Sequence, residues 1–312
     1  MTKLKGILLT QGMHGMISQV EGLAKALDLD FTHHTVETNK FWKLFPPKLT
    51  PISQSVFKKI NSEDFDVIIS CGRKSVIPSI YLKKNSSKKV TNIHIQDPKV
   101  NLDNFSYIIA PEHDGLNGEN VFSTKGAIHY LTKEEISNHT NYLKDRLDAG
   151  KEYFLLILGG PTKHYDYSDE NVSKIFSLFN DLVKKNNLQG IVIPSMRTPK
   201  NIIALAKNKL SQKSLVIDTI DKKAYLSALS LAKYIAVTCD STSMISEAAL
   251  TGKPIYVADI PAKKNDFRIK KFNKLFNQLN IIKKLENKLE TWHYENLDET
   301  SRIANEIKKQ LD

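Results

Sequence analysis

Along the chain, short apolar runs rich in Val, Ile and Leu alternate with longer stretches whose apolar residues recur every three or four positions. Continuous apolar runs suit strands buried on both faces, and the longer period suits helices, so the alternation predicts parallel sheets with crossover helices. In the first half, strands are expected near Ile7–Thr10, Phe31–Val36, Val67–Cys71, Asn92–Gln96, Tyr107–Ala110 and Val121–Thr124. The clearest helix there runs from about Ile17 to Leu27. A charged helix, about Thr132–Ala149, is expected to close this half, with Thr132 and Glu135 as its capping box. The pattern then restarts with a strand at Phe154–Leu158, followed by Gly159-Gly160-Pro161 and a polar loop. Further strands are predicted at Gly190–Pro194, Leu215–Asp218, Tyr234–Thr238 and Ile255–Ala258, and the segment 266–312 reads as helical throughout. The expected fold is α/β: two doubly wound, Rossmann-like lobes (1–149 and 150–265) facing a cleft, with the helical tail packing back across them.

The composition is compatible with this. A chain of 312 residues is comfortable for two α/β domains, and 41% hydrophobic with 25% charged residues is ordinary for a globular protein. The formal charge of +11 favours acidic partners. A phosphorylated ligand or an anionic membrane surface is preferred over nucleic acid, and a cluster of Lys263, Lys264, Arg268, Lys270, Lys271 and Lys274 gives the tail a basic face. Two cysteines, Cys71 and Cys239, form neither a disulfide framework nor a zinc spacing. The opening residues are too weakly apolar for a signal peptide, and no apolar run approaches the ~18 residues of a membrane span. A cytoplasmic place is expected, with peripheral association on the inner face of a membrane as a further option.

Ligands of open α/β sheets bind beyond the carboxyl ends of strands, so the residues after each strand are the candidates. In the second lobe, Gly159 and Gly160 could let the backbone approach an anion, with Thr162 and Lys163 supplying a hydroxyl and a cation. The same residues also fit a plain strand-to-helix turn. Ser195 and Arg197 follow the next strand, where a guanidinium could grip phosphate or simply decorate a turn. Ser241, Thr242, Ser243 and Met244 open a helix, whose N–H groups and dipole suit a phosphate; the alternative is an N-cap with no ligand. Glu247 stands further along that helix among small and apolar residues, a suitable bidentate acceptor for ribose hydroxyls. In the first lobe, His14, Asp97, His113 and Asp114 follow strands and are candidates for the general base of an acceptor site.

Taken together, Val237–Ala248 and Thr251-Gly252-Lys253-Pro254 resemble the family named for mitochondrial fission and elongated mitochondria in plants, which has many bacterial members. Supporting stretches are Ser18-Gln19, Ser70–Lys74, Gln96-Asp97-Pro98, Pro111–Asp114, Gly159-Gly160 and Arg197-Thr198-Pro199. Cys239 departs from the pattern, where an acidic residue is expected. The resemblance implies a GT-B fold, shared with nucleotide-sugar glycosyltransferases and epimerases. It places Ser241–Met244 on a diphosphate and Glu247 on a ribose. The implied activity is transfer of a sugar from a nucleoside diphosphate-sugar to a hydroxyl acceptor, with a lipid-linked or cell-envelope glycan as a candidate. No Asp-x-Asp pair ends a predicted strand, so the donor is expected to bind without metal, and no other cofactor is expected. The alternatives are a non-catalytic protein of the same fold, acting as a peripheral membrane or scaffold factor, and a nucleotide-sugar epimerase.

Overall fold

The computed structural model describes residues 3–60 and 64–311 and divides them into two compact units, residues 3–130 with 298–311 and residues 131–297. Asp312, the last residue of the expected tail, lies outside the described residues.

Unit 1 begins with β1 (Lys5–Thr10), α1 (His14–Ala26) and β2 (Asp30–Thr35). A long excursion of tight turns then leads to β3 (Val67–Cys71), α2 (Val76–Lys84), β4 (Thr91–Ile95), β5 (Tyr107–Pro111) and β6 (Val121–Thr124). All six strands are parallel, in the order β2-β1-β3-β4-β5-β6. The central strands carry no polar face, since helices cover both sides of such a sheet: every residue of β3 is buried. Gly22 is fixed by packing, because a Cβ there would stand 2.3 Å from the carbonyl oxygen of His129.

Unit 2 contains α3 (Lys133–Asn138), β7 (Tyr153–Leu158), α4 (Asp169–Lys185), β8 (Gln189–Pro194), α5 (Lys200–Lys209) and β9 (Leu215–Val216). It continues with α6 (Lys222–Leu231), β10 (Ala232–Thr238), α7 (Thr242–Ala249), β11 (Ile255–Ala258), α8 (Phe267–Gln278) and β12 (Ile282–Lys284). Its parallel sheet runs β12-β11-β10-β7-β8-β9. Helix α4 shows how sequence dictates an element here. Val172, Ile175, Phe176, Phe179, Leu182 and Val183 form one buried stripe, and Ser168 caps the start through the N–H of Asn171. Asp169 and Glu170 lie in the first turn and Lys184 and Lys185 in the last, each complementing the helix dipole.

Two expectations are corrected. The helix predicted over Thr132–Ala149 stops at Asn138 and continues as a 3-10 turn, Thr140–Arg146. The Thr132 cap forms, accepting the N–H of Glu135, but the ladder is interrupted by Ser227 of α6. The Ser227 hydroxyl accepts from the Leu143 N–H and donates to the Thr140 carbonyl. The tail is not one helical stretch either. Asn280 adopts a left-handed conformation (φ 56°) after α8, β12 joins the sheet, and an irregular segment follows. That segment is strapped to unit 2 by side chains that no helical periodicity records: Trp292 Nε1 donates to Asn280 O, Tyr294 OH to Lys253 O, and Asn296 Nδ2 to Leu250 O.

The last helix, α9 (Glu299–Leu311), belongs to unit 1. Ile303, Ala304 and Ile307 are buried in one core with Val20, Leu23, Leu27 and Ile128. Glu299 accepts the N–H of Lys125, and Thr300 exchanges hydrogen bonds with His129. Unit 1 is therefore closed by residues far away in the sequence. Ile303→Ala should destabilise unit 1 by about 2–4 kcal/mol through the cavity it leaves. Urea unfolding checks this, and an unchanged midpoint would show that α9 contributes nothing to the unit.

Candidate functional site

In unit 2 the chain runs outward from β7 to β8 and β9, then returns to β10 on the other side of β7. The reversal lies between β7 and β10, the place where a doubly wound sheet opens a ligand crevice at its strand ends. Register brings three of these ends level, with Ile157 opposite Val237 and Leu158 opposite Pro194. Gly159-Gly160, Ser195–Thr198 and Asp240–Ser243 are thereby gathered in one place.

At its centre is Asp240, whose side chain is fully buried. One carboxylate oxygen accepts the Gly160 N–H at 3.1 Å and Arg197 Nη2 at 2.7 Å. The other accepts the Thr238 hydroxyl at 2.8 Å, and the Tyr167 hydroxyl lies 2.5 Å from it. Arg197 also donates through Nη1 to the Gly160 carbonyl at 2.9 Å, and the Gly159 N–H reaches Thr238 Oγ1 at 2.8 Å. Burial and the Asp240 carboxylate together push the Tyr167 phenol far above its ordinary range, so it remains a donor. The two glycines are required by this cluster. A Cβ on Gly159 would lie 2.1 Å from an Asp240 oxygen, and one on Gly160 2.1 Å from the Arg197 carbonyl oxygen. What approaches the Gly159-Gly160 backbone is thus the protein's own carboxylate and main chain, the structural turn of the two readings open to the sequence.

The other predicted donor residues surround this cluster. Arg197 is half-exposed, with two of its nitrogens already committed. Thr162 Oγ1 closes a tight turn by accepting the N–H groups of His164 and Tyr165, and Lys163 is exposed beside it. The Ser195 hydroxyl pairs with Thr198, which holds the carbonyls at the end of β7. Ser241 is the N-cap of α7 and accepts the Met244 N–H at 3.4 Å. The N–H groups of Thr242 and Ser243 precede the helical ladder and face outward from the helix start. Glu247 lies further along α7, where its Oε2 accepts the hydroxyl of Tyr225 at 2.7 Å. Removal from water raises this carboxyl to about 7, against the opposing effect of the tyrosine.

Two residues of the Gly-Lys-Pro and strand-end motifs have other duties. Lys253 is half-buried, donating to the Leu229 and Ser230 carbonyls at the end of α6, and loss of solvent lowers its ammonium to about 8. Cys239 is buried, its sulfur accepting the Ile260 N–H at 3.3 Å, and its thiol is pushed up to about 12. Where an acidic residue was expected, this cysteine ties the ends of β10 and β11 together.

In unit 1 the candidates follow three strands, β1, β4 and β5. His14 is exposed at the first turn of α1, with its ring edge-on to Tyr130 at 6.1 Å. Asp97 accepts the Lys99 N–H at 2.8 Å and pairs with the Lys99 ammonium; burial would raise its carboxyl, but these bonds hold it below the usual range. His113 and Asp114 share a 3-10 turn closed by the left-handed Gly115. His113 Nε2 is 3.7 Å from Asp114 Oδ1, and its side chain is only 6% exposed. Asp240 had no distinct signal in the sequence beyond its place in the stretch Val237–Ala248. Tyr167, Tyr225 and Thr238 gave no signal, because an isolated hydroxyl has no period or spacing.

Two all-parallel, doubly wound units of six strands define the GT-B class of fold. The UDP-GlcNAc 2-epimerase of Neisseria meningitidis, solved with UDP-GlcNAc bound, aligns over 98% of this chain and 100% of its own (TM-score 0.53, 13% identity). The glycosyltransferase SnogD of Streptomyces nogalater aligns over 99% and 95% (TM-score 0.52, 11% identity). Residues 14–311 match the family described as Mitochondrial fission ELM1, and the chain belongs to that family. An uncharacterised protein of Rickettsia prowazekii is 26% identical, covering 94% of this chain and 95% of its own. The Mitochondrial fission protein ELM1 of Arabidopsis thaliana is 24% identical over 78% of this chain and 64% of its own.

Arg197→Ala should destabilise unit 2 by about 1–3 kcal/mol, because it strips a buried carboxylate of its cation while water can reach the vacated side. The loss should shrink when Asp240 is already Asn. A double-mutant cycle in urea measures both, and additive losses would mean that the two side chains do not act on each other.

Proposed function

We propose that unit 2 binds a nucleoside diphosphate-sugar at the β7–β10 reversal and that the protein transfers the sugar to a hydroxyl acceptor. The observation that carries this reading is the convergence of three strand ends on one point, with the start of α7 beside them. The outward N–H groups of Thr242 and Ser243, the helix dipole, Lys163 and the remaining donors of Arg197 would take the diphosphate. Gly159, Gly160, Ser195 and Thr162 would shape that wall, while Ser241 and Met244 form the first turn of α7. Glu247 would accept the ribose hydroxyls. Similarity of fold to a UDP-GlcNAc 2-epimerase and to a glycosyltransferase supports the class of ligand. Developing charge on the departing diphosphate would be stabilised by the same dipole and cations.

In unit 1, His14 is the group we assign to the acceptor proton, since it is exposed at the carboxyl edge of the sheet, after β1. His113 with Asp114, and Asp97, are the further candidates. A second reading, a non-catalytic scaffold, is favoured by the name of the plant relative. It would leave the nucleotide pocket unused, so the two readings separate on ligand binding.

Calorimetry with uridine, guanosine, cytidine and deoxythymidine diphosphates should find one that binds, and Glu247→Gln should weaken it by about 1–3 kcal/mol. Absence of binding by all four would exclude the donor reading. Hydroxyl donors favour the ionised carboxylate, so near pH 6 binding should release a proton and should tighten as pH rises through about 7.

The same group fixes a stability effect of known sign. The native carboxyl keeps its proton between about 4.5 and 7 while the unfolded one has lost it, so the native state binds more protons and stability falls as pH rises across that window. Glu247→Gln should remove this decline, as thermal unfolding at a series of pH values would reveal.

Replacing His14 by Ala should lower turnover by about 10²-fold while leaving nucleotide affinity unchanged. Full turnover in that variant would move the assignment to His113 and Asp114.

A further inference from the structure

Between β2 and β3, unit 1 makes a long excursion that the nucleotide reading does not use. Its sequence between Glu37 and Glu63 holds five lysines (40, 43, 48, 58 and 59) and no Asp or Glu. Among the described residues of the whole protein, ten large hydrophobic side chains stand exposed, and four of them fall here: Phe41, Leu44, Leu49 and Ile52. Leu44 is 82% exposed, Leu49 62% and Phe41 61%. Such a concentration in one short segment is not the scatter of single apolar residues that any surface carries.

The described residues of the segment are held firmly, so the exposure is built in. It consists of 3-10 turns at Phe41–Leu44, Pro47–Leu49 and Gln54–Val56. Trp42 packs onto a core that contains Val36, Val56, Phe57 and Ile77, and Pro47 is buried. Arg73 Nη2, from the turn after β3, donates to the carbonyls of Lys43 at 2.9 Å and Phe45 at 2.7 Å. The Asn39 N–H donates to Val56 O, and the Asn39 amide to Ser55 O. With the inward residues satisfying the core, Phe41, Leu44 and Leu49 are left pointing out, and each directly follows an exposed lysine.

We propose that this segment seats the protein on an anionic lipid bilayer. Apolar tips alternate here with cations, of which Lys58 is paired with Glu37 while Lys40, Lys43 and Lys48 stand exposed, and this combination matches the boundary between acyl chains and acidic headgroups. A protein partner would have to present an apolar surface studded with acids in the same register. Beside the segment, a solvent-open pocket of about 140 Å³ is lined by Gln11, Thr38, Lys43, Phe45, Arg73 and Lys74, among others, and would receive a headgroup phosphate. The basic tail is a weaker contact surface: Lys263 is paired with Asp166, Lys270 with Asp266, and Lys271 lies over the Phe267 ring. This inference does not depend on the nucleotide reading.

The test is co-sedimentation of the full chain with vesicles of phosphatidylglycerol and phosphatidylcholine, against vesicles of phosphatidylcholine alone. The wild type should bind only the anionic vesicles, less at high salt. Phe41→Ser, Leu44→Ser and Leu49→Ser combined should lose at least about tenfold in binding, without change in melting temperature or in nucleotide affinity. Lys40→Glu, Lys43→Glu and Lys48→Glu combined should do the same, whereas Lys270→Glu, Lys271→Glu and Lys274→Glu should not. Brominated acyl chains should quench Trp42, the other tryptophan, Trp292, being buried in unit 2. The proposal is overturned if the wild type ignores anionic vesicles, if the serine variant binds as well as the wild type, or if only the tail variant loses binding. It is equally overturned if the serine changes abolish a concentration-dependent self-association, since a second copy would then cover the patch.

Discussion

A fully buried carboxylate cannot be left without partners, and in unit 2 that requirement falls on Asp240. Four donors from three strand ends and the loop before α4 meet it: Gly160 N, Arg197, Thr238 and Tyr167. Removing a charge from water costs several kcal/mol, so each partner must be in place for the fold to tolerate it. The consequences spread outward. Gly159 and Gly160 have no room for a side chain, Tyr167 must keep its proton, and Arg197 is drawn in from what would otherwise be a surface turn. The strand-end loops that would receive a nucleotide are thus positioned by one acid.

This arrangement changes the meaning of the conspicuous motif residues. In the primary structure the paired glycines and the arginine look like ligand-binding groups; in the folded unit their first obligations are to Asp240. The groups left over for a ligand are the start of α7, Lys163, the uncommitted part of Arg197 and Glu247. Glu247 differs in kind from Asp240. It has one described partner, Tyr225, and its carboxyl is raised where that of a well-solvated glutamate would not be. A half-buried acid with spare acceptor capacity is suited to take a hydroxyl, and a saturated one is not.

Unit 1 distributes its resources differently. Its candidate proton acceptors are spread over several strand ends, and its exposed apolar residues are concentrated in a single cationic excursion between β2 and β3. The core beneath that excursion is built from other residues, Val36, Val56, Phe57 and Ile77 with Trp42 packed on them, and the outward Phe41, Leu44 and Leu49 are not part of it.

Much of the architecture was legible from the amino-acid order. Strands such as Val67–Cys71 and Ile255–Ala258 were predicted to the residue, because a strand buried on both faces needs an apolar run. The strand-end loops of unit 2 were identified for the same reason, since a strand announces its own end. Period and propensity are local quantities, however, and the rest of the structure depends on non-local ones. Ser227 cut short the helix after Thr132, β12 formed because β11 offered an edge, and α9 closed unit 1 across the whole length of the chain. The sequence by itself determined two doubly wound units and, to within about two residues, the ends of the strands it announced. Only the tertiary structure decided which strand ends meet, because strand order is set by packing between segments distant in the chain, and with it that Asp240 rather than a ligand occupies the space beside Gly159.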